Sequence, residues 1–415
     1  MRKWRPPLAS QPLMSAVAVP GSKSATARAL VLSALAEEPS TIRGGLRARD
    51  TSLMIAALRA LGASIDDNGS AWRIHPTTTA PVKAEIDCGL AGTVARFLPP
   101  VAAVLGINTW FRGDPQASAR PMAPLLEALT HLGAQVSGTC LPFEISGMLT
   151  GCEVSLDASG SSQYISGLLI AAPRSPRGFE ITHQGGPLPS LPHIEMTIAA
   201  LRARGVQVDH AEDTWIVDAC PILGVEEVIE PDLTTAAAFL AAPLIAGGSL
   251  TVRDWPTTTT QPGARIAQIL EEMGARLTWG TEHLTVHGTG ELHGLDIDLR
   301  ETSELTPVIA GLALFATTTT TIRGIGHIRG HETDRIAALC SEINALGGDC
   351  QGIDDGLVIR PRPLHSGVFH TWGDHRLAHT GALIGLRVAS IELDDVDVTS
   401  KTMPKFPEVW ESLVA

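Results

Sequence analysis

The sequence predicts an α/β protein made of six related βαβ-type units, about 70 residues each, closed into two lobes of three. Three observations carry this reading. The first is an echo of amphipathic helices whose last turn runs into Leu-Gly or a near variant and then into a strand, at 54–65, 124–136, 196–208, 265–277 and 335–350. Their apolar residues follow i, i+3, i+4, i+7, and each glycine falls where a left-handed helix cap belongs. The second is a helix of almost wholly small and apolar residues ahead of each echo. These open at or near Ser24, Thr93, Ser162, Thr235, Thr306 and His375, in steps of 69, 69, 73, 71 and 69 residues. A helix apolar all round is a buried one. The third is a β-like stretch after several of them, such as GSLTVRDW and TTTTIRGIG. A period near 70 exceeds that of the common solenoids, which favours two closed lobes over an open superhelix.

Taken in order, the first unit begins at Val19-Pro20-Gly21, and the third ends before a polar, proline-bearing stretch, Glu226 to Asp232 (EEVIEPD). The lobe boundary is placed there. The residues before the first unit are assigned to the second lobe, so that 17–228 forms one lobe and 1–16 with 229–415 forms the other.

Composition bounds the function. Of 415 residues, 31 are Lys or Arg and 44 Asp or Glu, for a formal net charge of −13. That balance argues against a general nucleic-acid or membrane-surface binder, since both need a positive field, but leaves room for a local basic pocket. Aromatic residues are scarce, with a single tyrosine, Tyr164. The six cysteines lie far apart without a CxxC pair and read as reduced, mostly buried thiols. The N-terminus lacks the apolar run of a signal peptide, and no segment approaches the ~18 apolar residues of a membrane helix. The expectation is a soluble, cytoplasmic protein.

The chemistry-bearing residues cluster at the starts of the buried helices. Val19-Pro20-Gly21-Ser22-Lys23-Ser24 is a turn leading into the first, with Ser24 as a cap, Lys23 at the positive helix end and Arg28 one turn further in. A capped helix with solvated charges fits these residues; so does a phosphate or carboxylate site, because a lysine at that end is unfavourable without an anion. Walker A spacing is absent. Cys88-Gly89-Leu90-Ala91-Gly92-Thr93 repeats the arrangement ahead of Arg96, and Gly92 would let a ligand approach the backbone. Ser161-Ser162-Gln163 opens the third unit. Three hydroxyl caps in the same phase of three repeats put three anion-friendly helix ends on one face. Arg120 precedes Pro121, His331-Glu332-Thr333-Asp334-Arg335 starts a helix, Asp374-His375-Arg376 opens the sixth unit, and Lys401 follows Ser400. His375 and His379 stand at i, i+4, but no HExxH or cysteine partner supports a metal there.

Together these segments resemble the EPSP synthase (3-phosphoshikimate 1-carboxyvinyltransferase) family: PGSKSxxxR at 20–28, LAGT at 90–93, RP at 120–121, SSQ at 161–163, ETDR at 332–335, DHR at 374–376 and SKT at 400–402, in family order over essentially the whole chain. The resemblance implies two lobes, each of three βαβαββ units with buried helices, and a ligand cleft between them. It implies transfer of the enolpyruvyl group of phosphoenolpyruvate to the 5-hydroxyl of shikimate 3-phosphate, with release of phosphate. Neither metal nor organic cofactor is expected, the partners are small anionic substrates, and the protein is expected to be a monomer that binds neither nucleic acid nor membrane.

Carried over by motif, Lys23, Ser24, Arg28, Ser161, Ser162, Gln163, Ser190, Glu304 and His331 would hold shikimate 3-phosphate, and Lys23, Gly92, Arg120, Gln163, Arg335, Arg376 and Lys401 would surround phosphoenolpyruvate. Glu304 would be the base for the 5-hydroxyl, Glu332 the acid that protonates the methylene carbon, and Lys23 the group at the bridging oxygen. The chain departs from the family at Leu90 (often Asn), His193 (often Tyr), Glu304 (often Asp), His327 (often Asn), His331 (Lys) and Gly373 (Asn). His331 matters most, since an ordinary histidine is cationic only below about pH 6.5. The other enolpyruvyl transferase, acting on UDP-N-acetylglucosamine, usually carries a reactive cysteine on a loop of the first lobe, and the segment 112–120 has none. A catalytically dead paralogue is a further alternative, opposed by the retained Lys23, Glu304, Glu332 and Asp374-His375-Arg376.

Overall fold

Five helices stop where the sequence places a glycine. Arg49–Ala60, Ala123–His131, Leu191–Arg202, Ile266–Glu272 and Arg335–Ala345 are followed by Gly62, Gly133, Gly205, Gly274 and Gly347, all at positive φ between 80° and 110°. A Cβ would be strained there, which is why the chain turns at these points into the next strand. The helices ahead of them are the apolar ones: Lys23–Leu35, Gly92–Val104, Gln163–Ala171, Leu233–Ala246, Thr306–Ala313 and His375–Gly385. Every residue of the last two is buried.

This computed structural model describes residues 1–414. The chain divides into two compact units, Gly21–Ile229 and Met1–Pro20 with Glu230–Ala415, and each has its own apolar core. Five four-stranded sheets share one strand order. In the second repeat, Lys83–Asp87 lies parallel to Asn108–Arg112, which pairs antiparallel with Phe143–Ser146, itself antiparallel to Gln135–Ser137. In two sheets the first strand comes from far along the chain. Glu226–Val228 runs parallel to Ser40–Arg43, and Leu13–Val17 runs parallel to Gly248–Arg253.

The sixth repeat differs from the βαβαββ expectation. Gly367–Phe369 and Ile391–Leu393 form a two-stranded parallel sheet without the closing hairpin. The N-terminal segment takes the open edge, with Trp4 N–H donating to Leu393 O at 3.1 Å and Leu393 N–H to Trp4 O at 2.8 Å. The cysteine expectation is also corrected: Cys88 and Cys350 are buried, Cys140 is exposed and the rest are intermediate. Cys340 and Cys350 meet at 3.3 Å between sulfurs, because a helix and the strand after its glycine cap fold back on each other. Among the described residues, no helix is long and apolar enough to cross a membrane.

Candidate active site

In the unit Gly21–Ile229 the first buried helix begins two residues earlier than a Ser24 cap would set it. Ser22, not Ser24, is the N-cap, its hydroxyl accepting from Ala25 N–H at 3.3 Å. Ser24 lies inside the first turn, and its carbonyl accepts from Arg28 Nη1 at 2.9 Å. The other two hydroxyl caps are corrected as well. Ala91 precedes Gly92–Val104, and neither it nor Ser162 makes a side-chain cap bond. Neither cap residue supplies a side-chain acceptor to the first N–H groups of its helix, and such helix ends are the usual setting for a bound anion.

Arg28 is the most constrained cation here. It is 2% exposed, donates Nε to Thr197 Oγ1 at 2.8 Å and Nη2 to the His193 carbonyl at 2.7 Å, and lies over the Phe97 ring. Its partners are all neutral, and burial pulls its pKa down to about 9. An anion brought to this guanidinium would remove that penalty. Lys23 is treated differently: its Nζ stands 3.9 Å from the carboxylate of Asp50, a buried residue in the first turn of Arg49–Ala60.

Around Gly92 three side chains converge. A Cβ at this position would lie 2.8 Å from Arg96 Nη1, 3.2 Å from Arg120 Nη1 and 3.3 Å from Gln163 Oε1. Arg96 Nη1 donates to Gln163 Oε1 at 3.1 Å, and Arg120 Nη1 to the Leu90 carbonyl at 3.3 Å. Beside them is a small pocket, open to solvent and lined by Leu90, Gly92, Arg96, Arg120 and neighbouring residues. Ser161 Oγ accepts from Gln163 N–H at 3.3 Å. Ser190 adopts a left-handed conformation, φ 55°, immediately ahead of Leu191–Arg202.

In the other unit the cations are interlocked with carboxylates. Arg335, 1% exposed, donates Nε to Asp374 Oδ2 at 2.7 Å, Nη2 to Glu332 Oε2 at 3.0 Å, and Nη1 to His331 Nδ1 at 3.0 Å. Burial works against this charge, but Asp374, Glu332 and Glu304 outweigh it and hold the guanidinium firmly protonated. Lys401 Nζ donates to the other oxygen of Glu332 at 2.6 Å. Arg376 Nη2 donates to Glu304 Oε2 at 3.2 Å, while its buried Nε and Nη1 have no partner among the described residues. Asp334 caps the 335–345 helix through Ala337 N–H, and Asp374 caps the 375–385 helix through Arg376 N–H.

His331 is held neutral. Burial first, and Arg335 second, push its pKa down to about 3. By accepting from Arg335, Nδ1 fixes the neutral tautomer with its proton on Nε2. His327, also lowered by burial, meets Ser303 Oγ through Nε2 at 2.8 Å.

The sequence singled out the residues of both sets, yet three participants went unassigned. Asp50 had no motif to mark it. Arg96 was seen only as a helix cation, and Asp374 only as part of DHR. For the last two, a charged residue on an otherwise apolar helix start was the available signal.

Helix starts that gather guanidinium groups, an ammonium and hydroxyls, with carboxylates among them, define an enzyme that handles small, multiply charged anions. The family described as EPSP synthase (3-phosphoshikimate 1-carboxyvinyltransferase) matches residues 8–410, and the chain belongs to that family of transferases, whose reaction is enolpyruvyl transfer in the shikimate pathway. Two solved structures of EPSP synthase from Acinetobacter baumannii are similar to it. One has a TM-score of 0.82 and 24% identity, covering 100% of this chain and 98% of that one; the other has 0.81 and 23%, covering 99% and 98%. The enolpyruvyl transferase NikO from Streptomyces tendae matches with a TM-score of 0.78 and 19% identity, over 99% of this chain and 97% of its own. At these identities the likeness is one of fold. Among the described residues, no group of three or more His, Cys, Asp or Glu could hold a metal ion.

Proposed function

We propose that shikimate 3-phosphate is the acceptor and phosphoenolpyruvate the donor, held by the two residue sets above without a cofactor. Arg376 carries the reading. A guanidinium 2% exposed, with two buried nitrogens lacking an acceptor, is costly to leave as it stands. A donor carrying both a phosphate and a carboxylate supplies the missing acceptors in the bidentate form that arginine prefers. Arg120, Arg335 and Lys401 complete the donor set, with Gly92 leaving room for it and Gln163 at its edge. Arg28, Ser24, Ser161, Ser162, Gln163, Ser190 and the neutral His331 hold the acceptor.

Each step has a residue. Glu304 takes the proton of the 5-hydroxyl, and the oxygen attacks the central carbon of phosphoenolpyruvate while Glu332 delivers a proton to the methylene carbon, giving a tetrahedral ketal. Lys23 gives a proton to the bridging oxygen as phosphate leaves and is re-protonated from solvent, to which Glu304 returns the 5-hydroxyl proton. Loss of a methyl proton back to Glu332 restores the double bond as the enolpyruvyl ether. In the structure Glu332 is bridged by Lys401 and Arg335, and Glu304 by Arg376. The carboxylates occupy cation positions that an arriving donor would claim, so binding would release the two acids for proton transfer.

The test is phosphate release with phosphoenolpyruvate and either shikimate 3-phosphate or UDP-N-acetylglucosamine. Release that depends on shikimate 3-phosphate and disappears in Lys23→Ala supports the reading. Release with the nucleotide sugar, or with neither acceptor from folded protein, rejects it.

A further inference from the structure

The turn that delivers Asp374 and Arg376 is held by a buried carboxylate outside the set described above. Glu342 lies on the Arg335–Ala345 helix, two turns beyond Arg335, and is 2% exposed. Its Oε2 accepts from the backbone N–H of His370 at 2.8 Å, and its Oε1 from the indole Nε1 of Trp372 at 2.9 Å. Trp372 sits at φ 54° and Gly373 at φ 70°, so two successive residues are left-handed. For a bulky side chain such as Trp372 that conformation is unfavourable and persists only where its surroundings impose it. The opposite side of the turn is fixed by Asp394, whose Oδ1 accepts from Thr371 N–H at 2.8 Å and from its hydroxyl at 2.9 Å. The turn then closes with Asp374 N–H donating to Thr371 O at 2.8 Å.

Asp374 is therefore presented by a strained turn, and the same helix grips that turn at two points, through Arg335 to Asp374 and through Glu342 to His370 and Trp372. We propose that Glu342 is a positioning residue: by fixing the His370–Asp374 turn in its left-handed form it sets where Asp374 holds Arg335 and where the following helix presents Arg376. The proposal rests on the donor assignment of those two arginines. A carboxylate suits the task because both its oxygens accept, whereas a glutamine would set an N–H₂ group against one of two N–H donors. Small displacements of a binding group cost rate and affinity steeply.

The experiment uses the full chain with two variants, Glu342→Gln and Trp372→Phe, the second at a half-exposed residue where folding is not at stake. Steady-state kinetics in both substrates and amide hydrogen exchange over 367–377 are read together. Glu342→Gln is expected to raise the KM for phosphoenolpyruvate about ten-fold, to leave the KM for shikimate 3-phosphate within two-fold, and to speed exchange at 370–374. Trp372→Phe, which removes one of the two donors, should show a smaller change in the same direction. The double variant should be no worse than Glu342→Gln alone, because both substitutions act on one contact. A drop in kcat alone, in proportion to lost folded protein, would reduce Glu342 to a structural residue and overturn the proposal. Unchanged exchange over the turn would overturn it as well. If the wild type itself released no phosphate, the donor assignment would fail and take the arginine-positioning claim with it, while exchange would still report whether Glu342 holds the turn.

Discussion

Lys401 Nζ lies 2.6 Å from Glu332 Oε1, and the second oxygen of that carboxylate takes Arg335 Nη2 at 3.0 Å. The acid assigned to carbon protonation is thus held between two cations that are also assigned to the donor. In the reading proposed above, phosphate and carboxylate oxygens of the donor would take these two cations from Glu332, and the carboxylate so released would be able to carry a proton.

That exchange makes Glu332→Gln informative. The amide preserves size and one acceptor but cannot move a proton. We expect kcat to fall by about 10²–10⁴-fold, the usual worth of a positioned acid, with a much smaller change in the KM for phosphoenolpyruvate. Single-turnover measurements of ketal formation would check this. If the main effect were on KM, Glu332 would be serving only to space Lys401 and Arg335.

Gly92 tests the donor assignment within the unit Gly21–Ile229. The Cβ of Gly92→Ala would come to 2.8 Å from Arg96 Nη1 and 3.2 Å from Arg120 Nη1, so the guanidinium groups must give way. These are the flexible ends of long side chains, so the fold tolerates the shift and the loss falls on donor binding, with a rise in the KM for phosphoenolpyruvate of about ten-fold from the displaced guanidinium groups. The KM for shikimate 3-phosphate should stay near wild type. Steady-state kinetics with each substrate varied in turn would show it, and equal losses in both would mean that the substitution disturbs the helix start rather than the pocket.

The parts of this molecule legible in the sequence are the local ones. Glycine caps such as Gly62 and Gly274 declare themselves because a left-handed turn after an amphipathic helix needs no distant partner. The buried helices were readable for the same reason, since small and apolar residues dominate each of them and only isolated polar ones such as Arg28 and Arg96 interrupt the run. What escaped depended on residues brought together from elsewhere. Asp50 reaches Lys23 only after the second helix folds back, and the N-terminal segment lies at the edge of the two-stranded sheet through the isolated bridge between Trp4 and Leu393. Even a single position can hide: Ser22 and Ser24 are equally plausible caps by residue type, and the start of the helix decides between them. The state of His331 was the least accessible, because it is set by burial and by the contact with Arg335, and the motif HETDR contains that arginine without showing either.

The neutral His331 has a consequence for stability. Its folded pKa of about 3 lies below the ordinary value near 6.5. Between those limits the unfolded chain binds a proton that the folded chain refuses, so this residue lowers stability as pH falls from about 6.5 toward 3 and has no effect above that window. The slope approaches about 1.4 kcal/mol per pH unit for one such group. Urea unfolding at pH 7 and pH 4.5 should therefore show a larger acid loss in wild type than in His331→Asn, with carboxylate contributions common to both. Activity between pH 7 and 9 should show no ionisation that His331→Asn removes. An alkaline limb that shifted in the variant would mean that the histidine works as a cation after all.

Arg28 supplies the last test, because its charge is buried among neutral partners. Thr197, the Ser24 carbonyl and the His193 carbonyl satisfy its hydrogen bonds but not its charge, and the lowered pKa of about 9 expresses that deficit. An anionic acceptor bound nearby should stabilise the folded unit that contains Arg28. At a concentration 100 times its Kd, a ligand specific for the folded state contributes about 2.7 kcal/mol, which for a unit of this size corresponds to a rise in Tm of about 5–10 °C. Thermal unfolding of the wild type with and without shikimate 3-phosphate should show such a shift. In Arg28→Lys, which keeps the charge but loses the planar fork, the shift should shrink at the same ligand concentration; in Arg28→Met it should vanish. The ligand-induced shift, rather than the absolute Tm, is the quantity to read, since both variants disturb the bonds to Thr197 and His193. A full shift in Arg28→Met would place the acceptor away from this helix start and leave the buried charge without a functional reason.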